Sequence, residues 1–165
     1  MAASISIDNI EEYAQRLLED KNAFCGYTRV IEIANKLGLQ VISASFKDNN
    51  ISGMLILNDT ESNIYVNAAN PIVRQRFTIA HEIGHYVLHN DMISKQEGNI
   101  FYRDQIHSKQ PIETQANRFA AALLLPKDKI LQDWALVKNV VILAAQYNVS
   151  IETLKYRLND LGQTL

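Results

Sequence analysis

The chain has 165 residues, 47% of them hydrophobic and 21% charged, a composition typical of a globular domain that folds without staples. Its formal net charge of −2 argues against a protein built mainly to grip nucleic acid, which needs a cationic excess. A single cysteine, Cys25, excludes an internal disulfide, and its apolar neighbours Phe24 and Tyr27 suggest an inert packing role. The first twenty residues carry acids where a signal peptide carries a basic start and an apolar core. No apolar run approaches the roughly 20 residues of a membrane helix. A cytoplasmic protein with no membrane partner is expected.

In chain order, Ile10, Tyr13, Ala14, Leu17 and Leu18 recur at helical spacing, so residues 8–20 read as an amphipathic helix with Asp8 placed to cap it. A second helix is predicted over residues 27–36, ending at Gly38 in the left-handed position that favours glycine. Three short stretches rich in β-branched residues follow, 39–46, 51–57 and 63–66, separated by turn-forming segments. The short connections predict an antiparallel sheet of about three strands. Pro71 opens a long helix over residues 72–89. A polar segment, 90–111, shows little periodicity and has the length of a functional lid. Helix resumes at residue 112, stops before Pro126, and continues as further helices to the C-terminus with a break at residues 148–150. Helix, sheet, then helices indicates an α+β fold, here divided as residues 1–126 and a helical extension, 127–165, packed as one unit.

The chemistry concentrates in His81-Glu82-Ile83-Gly84-His85. On a helix, two histidines four residues apart share a face about 6 Å apart along the axis, and their imidazoles can converge on one metal. Glu82, between them, lies beside the open coordination position and can take a proton from water there and pass it to a leaving amine. The surrounding Phe77, Ile79, Ala80, Ile83 and Val87 make this helix largely apolar, a costly setting for ionisable groups without partners.

A catalytic zinc takes three protein ligands and keeps one position open. His89 shares the face of His81 but stands about 12 Å along the axis from it, too far to share the ion, and reads as support behind the ligands. Asp91 stands where one zincin class places its third ligand, but that class turns the chain with a glycine where this sequence has Leu88. Glu113, opening the next helix, is the preferred candidate. Ala116 and Ala120 follow it with small side chains opposite Gly84, letting the two helix backbones approach, and Asn117 lies one turn on as a supporting partner.

These residues resemble a known family, the ImmA/IrrE-type metallopeptidases of bacteria and their mobile elements. The resemblance is carried by residues 74–89, which contain the His-Glu-x-x-His stretch, and by Glu113 through Pro126 with its Glu-x-x-Ala-Asn-x-Phe-Ala core; Ile64-Tyr65-Val66-Asn67 is similar as well. It implies a zincin fold, one zinc on His81, His85 and Glu113, and Glu82 as general base. It also implies a protein substrate, a helix-turn-helix repressor of the Xre type, whose cleavage switches on mobile-element or stress genes. In zincins an edge strand pairs with the extended substrate, and residues 63–67 are the expected strand. Tyr102 and His107, in the long polar segment, and Tyr86 are candidates to face the substrate and steady an oxyanion. Arg74 and Arg76, ahead of His81, are expected to make structural pairings.

Residues 143–158 look like a helix-turn-helix, with Ser150 capping the second helix. This raises an alternative, a DNA- or partner-binding regulator or toxin-antitoxin component with a vestigial or sensory zinc site. Lys155 and Arg157 in the second helix are balanced by Glu152 and Asp160, leaving no excess for phosphates, so direct DNA binding is not expected.

Overall fold

The apolar stripe at the start of the chain folds as predicted. In the computed structural model, which describes residues 7–48, 50–58, 61–93, 100–101 and 110–164, helix α1 (Ile7–Lys21) buries Ile10, Ala14, Leu17 and Leu18. Asp8 is the second residue of this helix and not its cap. Helix α2 (Val30–Lys36) is shorter than expected, because residues ahead of it are drawn into a bend closed by a bridge between Phe24 and Thr28. Gly38 does adopt the left-handed conformation, with φ +82°. Cys25 is exposed, which corrects the expectation of packing; the bend turns its side chain outward.

Strands β1 (Gln40–Ala44), β2 (Gly53–Leu57) and β3 (Ser62–Asn67) form the sheet, and the two-residue β4 (Ile100–Phe101) extends it. The order is β1-β3-β2-β4. The expectation of an antiparallel sheet holds for β2 with β3 and for β2 with β4, but β1 pairs with β3 in parallel. The physical reason lies in the connections. A four-residue turn after β2 can only make a hairpin, whereas the longer link after β1 carries the chain past one strand position, which β3 then fills. In consequence β3 is an interior strand, hydrogen-bonded on both sides. Residues 63–67 therefore have no free backbone edge to offer an extended substrate, contrary to the sequence expectation.

Helix α3 (Ile72–Ile93) runs beyond its predicted end and packs against β2 and β3. Helix α4 (Gln110–Leu124) lies against α1, α3 and α7, so Phe119 through Leu125 form an unbroken buried run. A helix enclosed on every side needs no polar face. The C-terminal helices are α5 (Lys127–Val137), α6 (Val140–Tyr147) and α7 (Ile151–Asp160). The Asn139 side chain accepts from the backbone N–H groups of Val141 and Ile142, capping α6, and Ser150 accepts from Thr153 N, capping α7 as predicted.

Arg157 decides how the last helix sits. Its side chain is 2% exposed; it donates to both carboxylate oxygens of Glu11 on α1 and, through Nε, to the Leu125 carbonyl at 3.0 Å. One guanidinium thus ties α7 to the first helix and to the end of α4. No helix among the described residues is long and apolar enough to cross a membrane.

Candidate metal centre

Helix α3 brings His81, Glu82 and His85 into the interior, all buried. Facing them, α4 contributes Glu113. Nε2 of His81 lies 2.9 Å from Nε2 of His85, Glu113 Oε2 lies 3.3 Å from the first, and Glu113 Oε1 lies 3.1 Å from the second. Among the described residues these three form a cluster able to hold a metal ion.

Close approach of the helix backbones makes this possible. A Cβ on Gly84 would sit 3.3 Å from Ala116 Cα and 3.1 Å from a ring carbon of Phe119, so any side chain here would press α4 back by a few tenths of an ångström. The pairs His81 with Asn117 and His85 with Glu113 show the helices running in opposite senses.

The donor set fits a metal. Nδ1 of His81 donates to Asn117 Oδ1 at 2.9 Å, which leaves the Nε2 lone pair of that ring pointing at the cluster. Glu113 Oε1 is buried without a well-directed hydrogen bond, although His85 Nε2 is 3.1 Å away. A bare nitrogen of His81, Nε2 of His85 and a carboxylate therefore meet at one point, an arrangement that suits a cation. Tetrahedral bonds of about 2.0–2.1 Å would separate zinc ligand atoms by roughly 3.3 Å, close to the spacings found here. Burial acts to raise the Glu113 pKa, but the adjoining His81 and His85 rings outweigh it and hold the carboxyl well below the usual range.

His89, one turn beyond His85, is buried. Its Nδ1 lies 3.3 Å from Nδ1 of His85, and its Nε2 lies 2.9 Å from Oε1 of Gln115. Burial lowers the His89 pKa, with Gln115 acting in the opposite direction. Gln115 was not singled out from the sequence. It stands two residues from Glu113, a spacing that on a helix points away from the metal-facing side, and only the path of α3 brings His89 within its reach.

The other candidates fall elsewhere. Because α3 stays helical through Asp91 to Ile93, position 91 lies about 15 Å along the axis from His81, too far to share its metal. Tyr102 and His107 lie outside the described residues. Arg74 donates to Ser52 Oγ at 3.0 Å, while Arg76 donates to the Thr28 and Asn148 carbonyls and stacks over Tyr27. Both arginines brace the start of α3.

A mixed sheet covered by a His-Glu-x-x-His helix, with a glutamate supplied by a second helix, defines a zincin-like domain of the metallopeptidase type. The profile of the peptidase M78 family, described as IrrE N-terminal-like domain, matches residues 34–159, and the chain belongs to that family. A relative described as radiation response metalloprotease IrrE, from Deinococcus radiodurans, is 41% identical over 75 residues, a match that takes in 45% of this chain and 23% of that protein. The solved structure of a Mycobacterium tuberculosis transcriptional regulator superposes with a TM-score of 0.67 at 18% identity, covering 92% of this chain and 46% of that one. The second likeness shows a shared fold. The chain thus spans under half the length of either protein.

Proposed function

We propose that this chain is a zinc-dependent endopeptidase that cleaves a protein substrate in the cytoplasm. The observation that carries the reading is the convergence of His81 Nε2, His85 Nε2 and the Glu113 carboxylate, with Glu82 buried in the turn between the two histidines. Held by those three residues, a zinc ion would supply a Lewis acid for the scissile carbonyl and make water acidic near neutral pH. Glu82 is the general base, taking a proton from the attacking water and delivering it to the departing amine. Asn117 keeps the His81 ring in the tautomer that directs Nε2 inward. Glu113 supplies the negative charge that a cation with two neutral imidazoles requires.

A helix-turn-helix repressor of the Xre type is the substrate this proposal names, with release of mobile-element or stress genes as the consequence. Support comes from the family membership and from the description of one relative as a radiation response metalloprotease. Direct DNA binding by the α6–α7 hairpin forms no part of the proposal, because Arg157, one of the two basic residues of α7, is buried against Glu11.

Purified protein should hold about one zinc per chain. Co-expression with an Xre-type repressor should give cleavage that Glu82→Gln abolishes while zinc content and folding stay intact. Full cleavage by Glu82→Gln would overturn the assignment of the base. Retention of zinc by Glu113→Ala would overturn the ligand set.

A further inference from the structure

Nδ1 of His85 and Nδ1 of His89 lie 3.3 Å apart, and two ring nitrogens can hydrogen-bond only when one carries a hydrogen and the other is bare. The side-chain oxygen of Gln115 decides between them. It sits 2.9 Å from Nε2 of His89, and an amide oxygen only accepts, so the hydrogen on His89 belongs to Nε2. In a neutral imidazole the other nitrogen is then bare. Nδ1 of His85 must be the donor, which leaves Nε2 of His85 with its lone pair directed at the cluster formed with His81 and Glu113.

We propose that Gln115 and His89 form a positioning relay that fixes the tautomer of His85 and so keeps its Nε2 able to bind metal. The inference rests on the metal-site reading above and extends it to two residues that touch neither metal nor substrate. His89 is too far along α3 to bind the same ion as His81, yet it is buried at the same four-residue interval, where an imidazole has a use only through its neighbours. Asn117 performs the equivalent task for His81 directly. Helix α4 therefore supplies one ligand and sets the proton positions on the other two. With the opposite tautomer, His85 would present an N–H to the cation.

The test compares Gln115→Met, Gln115→Glu and His89→Phe with the unaltered chain. Two quantities are read: the zinc dissociation constant, from competition with a chromophoric chelator, and the tautomer of His85 in metal-free protein, from long-range 1H–15N spectra of the ring nitrogens. Gln115→Met and His89→Phe should weaken zinc binding about 10–100-fold, the usual loss when a hydrogen-bond partner behind a histidine ligand is removed. Both should also shift His85 toward the Nε2–H form. Gln115→Glu keeps an acceptor and should retain the affinity and the tautomer, whereas a purely structural role for position 115 would not separate Met from Glu in this way. Should His89→Phe fail to fold, Gln115→Met, nearly isosteric and at a half-buried position, still decides the matter. Unchanged affinity and an unchanged His85 tautomer in Gln115→Met would overturn the relay. If the unaltered chain bound no zinc, the metal-site reading would fall instead, and the nitrogen spectra would still show whether Gln115 governs the His85 proton.

Discussion

Asn117 on α4 accepts the Nδ1 hydrogen of His81 on α3 at 2.9 Å, joining the helix that carries the base to the helix that carries the acid ligand. Removing the acceptor frees the ring to place its hydrogen on Nε2. Asn117→Leu should therefore lower zinc affinity about 10–100-fold, while Asn117→Asp, which still accepts, should stay close to the unaltered chain. Chelator competition measures both, and equal affinities for Leu and Asp would show that the hydrogen bond does not orient the ligand.

Zinc binding should appear as stability. An ion that binds only the folded chain stabilises it by about 2.7 kcal/mol when present at a hundred times its dissociation constant. The unfolding temperature should rise on adding zinc, return on adding a chelator, and stay unmoved by zinc in Glu113→Ala. Because the ligands must shed protons to bind, the zinc-dependent rise should shrink as the pH is lowered. Thermal unfolding at several pH values, with and without zinc, checks this; a rise that persists in Glu113→Ala would place the ion elsewhere.

Gly84 sets the distance between α3 and α4. Gly84→Val would put methyl groups where the Phe119 ring and the Ala116 backbone already lie within 3.3 Å of the Cβ position. The helices must part, with an overpacking cost of about 1–3 kcal/mol, and Glu113 should withdraw from the histidines. Zinc affinity should fall by more than the loss of thermal stability alone explains. An unchanged affinity would mean that Glu113 reaches the site without the close approach.

Arg157 is a structural cation, and its loss should be felt in folding. Arg157→Ala leaves the partly exposed Glu11 carboxylate and the Leu125 carbonyl without their partner, a loss of about 1–3 kcal/mol. Denaturant unfolding should show the loss, and zinc content at low temperature should be unaffected. Lys155→Ala, at an exposed position of the same helix, should be close to neutral.

The sequence by itself determined the elements of the site whose partners are near in the chain. A helix converts a four-residue interval into a shared face, so His81 and His85 were legible as a pair, with Glu82 between them. The small side chains at Gly84 and Ala116 likewise announced a close helix contact, because nothing else lets backbones approach. Caps at Ser150 and the left-handed Gly38 were local too. What only the tertiary structure decided depends on relations between distant segments. Whether β3 lies at an edge or inside the sheet depends on where the chain sends β1, and hydrophobic alternation is the same in both cases. Gln115 stands on the wrong side of α4 by helical spacing, and it acquires a role only because α3 carries His89 past it. Arg157 read as one charge among several on an exposed helix, yet docking against α1 and α4 buried it with Glu11, 146 residues away along the chain. Spacing fixes which residues share a face; packing decides what that face meets.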